Sequence, residues 1–244
     1  MRVPVGCPPI DELLSGGVES GALTEFYGEA GAGKTNICLQ IARNVAREGR
    51  KVVFIDTEGV SLERLQQMCG ADYRRVHANI LFFEPFNLRE QDTVVDKAQR
   101  LAASSADVGL LVLDSATLHY RVNLSQGDGV TDRRSLAAQL TRLAEVARKR
   151  GIPVVITNQV FTNVETDVLE PVGGQLLRHI SKAVIRLEKA GGVGGRRRAV
   201  IVKHRALPEG LEAFFRIGPH GLEALDGSGA RPAAPADADV AGVG

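Results

Sequence analysis

Short apolar segments alternate with segments of helical period along most of the chain. The apolar segments are rich in β-branched residues and cover 22–28, 51–58, 79–85, 109–115 and 153–160. Between them, apolar residues recur at three- and four-residue spacing over 33–48, 61–69, 89–104 and 132–150. Strands that are apolar on both faces, separated by amphipathic helices, indicate a mostly parallel central sheet flanked by helices. The predicted fold class is therefore α/β.

The pattern changes after about residue 182. The segments 183–189 and 197–204 flank the sequence AGGVGG, which predicts an antiparallel hairpin, and 211–218 and 221–225 extend it at the sheet edge. Residues 227–244 include twelve Gly, Ala or Pro and no aromatic residue. Such a segment buries too little apolar area to offset its ordering entropy. We therefore expect one domain over 1–226 and a disordered tail over 227–244.

Composition narrows the class of protein. The chain has 244 residues, 44% of them hydrophobic, and a formal net charge of +1, so any basic surface must be local. The three cysteines are far apart and lack metal-ligand spacing, which favours a reducing cytoplasm. No apolar run approaches the roughly 20 residues that a membrane-spanning helix needs. A cytoplasmic protein with no membrane segment is expected.

The sequence GEAGAGKT lies between a predicted strand and a predicted helix and satisfies G-x-x-x-x-G-K-[ST]. Its glycines let successive backbone N–H groups face one anion at a helix N-terminus. The lysine then reaches the β and γ phosphates, and the threonine hydroxyl ligates Mg²⁺. The motif therefore predicts a site for ATP and Mg²⁺, made of Gly28, Glu29, Ala30, Gly31, Ala32, Gly33, Lys34 and Thr35.

Two further strands end in carboxylates. Asp114 ends the strand GLLVLD and is the expected partner of Mg²⁺ opposite Thr35. Glu58 follows the strand after the phosphate-loop helix and is a candidate for orienting or deprotonating water, with Asp56 as its competitor. Each of these carboxylates has a structural alternative as a helix cap.

Six segments occur in a characteristic order: GEAGAGKT, FIDTEG, LLVLDS, VITNQV, GGQLLRH and LPEG. With them the chain resembles the RecA-type recombinase ATPases, and most closely the archaeal RadA and RadB group, over nearly all of 1–225. The resemblance implies a RecA-like P-loop ATPase core. RadA-type recombinases also carry an N-terminal helix-hairpin-helix domain and a Phe-x-x-Ala polymerisation element, and this sequence has neither.

The resemblance also implies roles for single residues. Glu58 activates water, and Gln159 senses the γ-phosphate and couples it to a DNA-binding loop. Arg64 packs on adenine, unless it is only an exposed helix arginine. His179 meets nucleotide across a subunit interface, unless it is structural. Lys203 stands where the family has the Asp of an Asp-Ser-Pro segment, and we hypothesise that it reaches a neighbour's phosphates in a homo-oligomer; its alternative is a lysine in solvent.

Two disordered loops hold DNA in this family, and they are expected here at about 119–134 and 160–172. The first carries three arginines that suit phosphate contacts, Arg121, Arg133 and Arg134. The second carries only acidic charges, Glu165, Asp167 and Glu170. Basic residues cluster instead in the hairpin within ten residues that lack any acid: Arg196, Arg197, Arg198, Lys203 and Arg205.

These features predict sequence-independent binding of single- or double-stranded DNA that salt weakens. Without a polymerisation element, an N-terminal domain or a basic second loop, independent strand exchange is not expected. We expect a mediator or regulator of a RadA-type recombinase, in homologous recombination and DNA repair, with weak ATPase activity. A KaiC-like signalling ATPase and a non-catalytic interaction protein are the alternatives.

Overall fold

The computed structural model of the chain describes residues 1–124, 129–162, 169–191, 195–225 and 231–232. Its strands are β1 (Arg2–Val3), β2 (Val18–Glu19), β3 (Leu23–Gly28), β4 (Lys51–Asp56), β5 (Ile80–Phe83), β6 (Val108–Asp114), β7 (Val154–Asn158), β8 (Val160–Thr162), β9 (Leu169–Pro171), β10 (Ala183–Lys189), β11 (Arg196–His204), β12 (Leu211–Gly218), β13 (Gly221–Ala224) and β14 (Arg231–Pro232). Its helices are α1 (Pro8–Leu13), α2 (Lys34–Arg47), α3 (Leu62–Cys69), α4 (Tyr73–His77), α5 (Leu88–Ser104), α6 (Leu118–Leu124), α7 (Gly129–Arg150) and α8 (Gln175–Ile180), with a 3₁₀ turn at Gly70–Asp72.

The main sheet has the strand order β13-β12-β11-β10-β3-β7-β6-β4-β5. The strands from β10 to β5 in this order are parallel, whereas β11, β12 and β13 are antiparallel to their neighbours. This confirms the predicted α/β fold with a mostly parallel sheet and a C-terminal antiparallel hairpin. Parallel strands end at one edge, so the loops after β3, β4, β6 and β7 meet there.

The sheet is buried on both faces because its central strands are apolar throughout. Along β4, Val52 and Phe54 pack in the core formed with α1, α2 and α3, whereas Val53 and Ile55 pack in the core formed with α5 and α7. Successive side chains of a strand point to opposite faces, so one continuous apolar run serves two cores. This explains why the sequences of the central strands are apolar at nearly every position.

The expected loop at 119–134 is wrong over most of its length. Residues 118–124 form α6 and residues 129–134 belong to α7, and only 125–128 lie outside the described residues. The physical reason is burial, because Tyr120 and Leu136 pack in the core under these helices. The expected loop at 160–172 likewise begins and ends in paired strands, β8 and β9, and 163–168 lie outside the described residues.

Two residues of the predicted tail lie within the described part of the chain. Arg231 and Pro232 form β14, which pairs antiparallel with Glu212 and Leu211 of β12. Residues 226–230 and 233–244 lie outside the described part of the chain.

Candidate functional site

The phosphate-loop motif lies at the carboxyl edge of the sheet, between β3 and the first turn of α2. Gly28 ends β3, and a Cβ built there would lie 2.1 Å from the backbone oxygen of Leu187 on β10. Gly33 caps α2 with φ +107°, and a Cβ there would lie 3.0 Å from Ile217 of β12. Packing against two neighbouring strands therefore requires glycine at both ends of the loop.

Lys34 occupies the centre of this loop. Its Nζ donates to the backbone oxygens of Gly28 at 2.8 Å and Glu29 at 3.0 Å, and the residue is 7% exposed. Burial lowers the pKa of Lys34, and the nearby carboxylates Glu58 and Asp114 oppose this shift. The ammonium is thus held inside the loop, where the motif places the phosphates of a nucleotide.

Asp114 at the end of β6 approaches the loop from the adjacent part of the sheet. Burial raises the pKa of this carboxyl to about 6, while the hydroxyls of Thr157 and Thr35 oppose the rise. Thr157 donates to Oδ1, and Oδ2 is buried with no hydrogen-bond partner among the described residues. A buried oxygen in this state, on a carboxyl whose pKa the Thr35 hydroxyl lowers, fits a magnesium ion or a water of its shell.

Glu58 and Asp56 have different surroundings. Asp56 accepts hydrogen bonds from the backbone N–H groups of Glu58, Gly59 and Val60 at 2.5–3.1 Å, so its carboxylate organises the loop after β4. The carboxylate of Glu58 instead accepts a 2.7 Å hydrogen bond from Nε2 of Gln159, which follows β7. The geometry therefore favours Glu58 over Asp56 as the group that faces water.

Most of these residues line one cavity of about 660 Å³, which we name the nucleotide cavity after the ligand that the motif predicts; Asp56 and Asp114 are not among its lining residues. Besides residues of the motif, its walls include Glu58 and Gln159, and also six residues that sequence reasoning did not assign to nucleotide: Asn36, Arg121, Val160, Phe161, Thr162 and Leu169. Asn36 could have been found, because it follows the motif on the first turn of α2. The other five reach the cavity only through the positions of α6, β8 and β9.

Arg64, on α3, does not line the cavity but contacts a residue that does. Its Nε donates to Asn36 Oδ1 at 2.8 Å, and its Nη atoms donate to the backbone oxygens of Gly218 and Pro219 at 2.8 and 3.0 Å. The guanidinium therefore links α2 to the turn between β12 and β13. Its predicted packing on adenine stays a prediction.

His179 and Lys203 lie away from the nucleotide cavity of their own chain. His179 lines a separate cavity of about 570 Å³ between α7 and α8. The Nζ of Lys203 donates to the backbone oxygens of Arg178 at 2.5 Å and Ser181 at 2.9 Å, at the C-terminal end of α8. Lys203 is therefore hydrogen-bonded within the chain, and any contact of either residue with nucleotide requires a second subunit.

Most arginines of the basic hairpin form ion pairs or hydrogen bonds within the chain, which the sequence does not indicate. Arg198 forms ion pairs with Glu212 at 2.6 Å and Glu188 at 3.5 Å, and Arg205 pairs with Glu19. Arg197 donates through Nε to the backbone oxygen of Gly31 in the phosphate loop at 3.0 Å. Neighbouring strands thus supply the acids that the ten-residue stretch lacks.

Two arginines of this group are exposed, Arg196 and Arg205, and Arg205 is paired with Glu19. The guanidinium of Arg196 lies 4.2 Å from the ring centroid of Phe214. Arg133 and Arg134 are also exposed, on α7, whereas Arg121 is exposed within the nucleotide cavity. Among the arginines predicted to bind DNA, the exposed ones are therefore Arg121, Arg133, Arg134, Arg196 and Arg205.

Arg198→Ala is expected to lower the free energy of unfolding by about 2 kcal/mol, because Glu212 is 4% exposed and loses a cationic partner. Arg196→Ala, the matched control, removes a surface cation–π contact and should cost less than about 1 kcal/mol. Urea denaturation of both variants measures the difference. Equal losses would contradict a structural role for Arg198.

A model of the Rad51 family matches residues 1–225. The DNA repair and recombination protein RadB of Methanococcoides burtonii is 46% identical over 217 residues, which cover 88% of this chain and 95% of that protein. The protein of the same name from Archaeoglobus fulgidus is 42% identical over 224 residues, covering 91% and 98%.

A solved structure described as the crystal structure of the RadB recombinase has a TM-score of 0.79 and 35% sequence identity. The match covers 92% of this chain and 100% of that chain. The sheet and this structural match together define a protein with a RecA-like fold that carries a phosphate-loop motif. Within this class, the chain belongs to the Rad51 family. Among the described residues, no helix is long and apolar enough to cross a membrane.

Proposed function

We propose that this chain is an ATP-binding and DNA-binding accessory protein of homologous recombination and DNA repair, with slow ATP hydrolysis, acting in the cytoplasm. Family membership and the names of its relatives support the recombination role. The observation that carries the ATPase part is the single cavity that brings Lys34, Thr35, Glu58 and Gln159 together. The same relatives favour this role over the KaiC-like alternative.

Each residue has a distinct task in this proposal. The phosphate-loop N–H groups and Lys34 bind the phosphates, and Thr35 and Asp114 hold Mg²⁺. Bound Mg²⁺ neutralises charge on the phosphate oxygens. Glu58 accepts a proton from, or orients, the attacking water, and Gln159 holds Glu58 in place through its 2.7 Å hydrogen bond.

Two features around the nucleotide site support the accessory role: a limited basic surface, and two residues that only a second subunit could bring to a nucleotide. Most of the hairpin arginines are engaged with Glu19, Glu188, Glu212 or the phosphate loop, which leaves a modest basic surface for DNA. His179 and Lys203 can meet nucleotide only in a homo-oligomer or in a mixed assembly with a RadA-type recombinase. Native mass spectrometry of the chain with and without such a recombinase tests the assembly. A homohexamer that phosphorylates itself would favour the KaiC-like alternative.

Single-stranded DNA binding is expected to be sequence-independent and to weaken steeply with salt, because phosphate contacts release counterions. Replacing both Arg133 and Arg134 by alanine should lower the magnitude of the salt slope by about 1.4, from about 0.7 for each lost contact. Fluorescence anisotropy across a salt series measures this. Arg74→Ala is the control, because α4 precedes β5 and lies at the opposite edge of the sheet from the phosphate loop. A salt-insensitive affinity, or the same loss in the control, would contradict DNA binding at this surface.

A further inference from the structure

Arg121 is held in the nucleotide cavity by the rigid start of α6. Its backbone N–H donates to the oxygen of Thr117 at 2.9 Å, and the hydroxyl of Thr117 donates to Oδ1 of the buried Asn158 at 2.7 Å. The adjacent Tyr120 is 6% exposed and packs in the core. The helix that carries Arg121 is therefore tied to the ends of β6 and β7, at the edge where the nucleotide site lies.

The side chain of Arg121 joins a chain of hydrogen bonds that ends at Glu58. Its Nη1 donates to Oε1 of Gln159 at 3.3 Å, and Nε2 of Gln159 donates to Oε1 of Glu58 at 2.7 Å. A guanidinium can only donate and a carboxylate can only accept. The amide between them therefore has one favourable orientation, with its oxygen toward Arg121 and its nitrogen toward Glu58.

We propose that Arg121 is a positioning residue of the nucleotide site: it fixes the amide of Gln159, which in turn holds the carboxylate of Glu58. One oxygen of Glu58 is then occupied by the amide, and the other is available to accept a proton from water. Without the guanidinium, the amide of Gln159 can rotate by half a turn. Its oxygen then faces the carboxylate of Glu58, and the two oxygen acceptors repel each other. This inference rests on the proposed ATP hydrolysis.

Arg121 also faces a second cavity. This cavity, of about 520 Å³, is lined by Tyr120, Phe161, Glu170, Pro171 and Val172 together with Arg121. Arg121 and Phe161 belong to the walls of both cavities, and of these two only Arg121 carries charge. A phosphate of single-stranded DNA at the second cavity would meet the same guanidinium that orients Gln159. Arg121 thus links the state of the nucleotide site to DNA affinity.

The test measures ATP turnover of Arg121→Ala, Gln159→Ala and the double variant. We expect each single variant to lower kcat about tenfold. Arg121→Ala should change KM less than twofold, because Arg121 acts through Gln159 and Glu58 and does not bind the phosphates. The double variant should lose no more than either single one, since both changes break the same chain of hydrogen bonds. Arg121→Lys, which keeps a donor and a charge, should recover part of kcat. Arg74→Ala, at an exposed arginine of α4 that lines neither cavity, is the matched control.

A second readout does not depend on turnover. The ratio of single-stranded DNA affinities with and without a non-hydrolysable ATP analogue should differ from one in the wild type and approach one in Arg121→Ala. Losses that add in the double variant, an unchanged kcat and affinity ratio, or an equal loss in Arg74→Ala would overturn the role of Arg121. A wild type that binds ATP without hydrolysing it would overturn the proposed ATPase instead, and the affinity ratio then decides the role of Arg121.

Discussion

Lys34→Ala is expected to weaken ATP binding by about 100-fold and to abolish turnover. The ammonium group of Lys34 donates hydrogen bonds to the backbone oxygens of Gly28 and Glu29. The motif places this group where it can reach the phosphates of a nucleotide. Losing charge-assisted hydrogen bonds to phosphate costs about 1.5–3 kcal/mol, and 2.7 kcal/mol corresponds to about 100-fold in affinity. Isothermal titration calorimetry with a non-hydrolysable ATP analogue, alongside a phosphate-release assay, measures both effects.

Glu58→Gln is the matched comparison for this experiment. It keeps the size of the side chain but removes the group that accepts a proton from water, so turnover should fall about 100-fold while ATP affinity stays within about threefold. The variants Lys34→Ala and Glu58→Gln thus distinguish an effect on ATP binding from an effect on the hydrolysis step. If Lys34→Ala bound the analogue as tightly as the wild type, the nucleotide would not lie in the phosphate loop.

Glu25→Gln is expected to stabilise the protein at pH 8 by up to about 3 kcal/mol. Glu25 lies within β3, where it is 2% exposed, and burial raises its pKa to about 7 despite hydrogen bonds from Asn158 at 2.8 Å and Ser181 at 3.3 Å. The unfolded chain releases this proton near the ordinary glutamate pKa of 4.5, and a pKa difference of one between the folded and unfolded states corresponds to about 1.36 kcal/mol. Glutamine has nearly the same shape and carries no charge.

The direction of the pH dependence follows from the raised pKa. The folded state holds the proton more tightly than the unfolded state, so this contribution to stability is complete below about pH 4.5 and is lost as the pH rises through about 7. The pKa of Asp114 is raised to about 6, so this carboxyl also changes the free energy of unfolding in the same pH range. The contribution of Glu25 is therefore the difference in free energy of unfolding between Glu25→Gln and the wild type. Urea denaturation at pH 5 and pH 8 gives that difference. Glu12→Gln, at an exposed glutamate of α1, is the control. A difference that does not grow with pH would show that Glu25 is ionised at little cost.

Short contiguous segments of the sequence were sufficient to predict the fold class and the phosphate loop. The alternating apolar and helical segments predict the parallel strands because each strand is buried on both faces and each helix on one. The motif from Gly28 to Thr35 is recognisable because backbone N–H groups of neighbouring residues form the phosphate cradle, so its chemistry lies within eight residues. Asp114 and Glu58 are predicted as site residues for a related reason, since each directly ends or follows a strand.

Only the tertiary structure decided how distant side chains combine. Glu58, Arg121 and Gln159 are far apart in the chain and meet because the parallel strands β4, β6 and β7 end at one edge of the sheet. The hairpin arginines look uncompensated in sequence, yet strand pairing brings Glu188 and Glu212 beside Arg198. Hydrogen-bond partners and ion pairs are set by which strands become neighbours, and that information is absent from any short stretch of the chain.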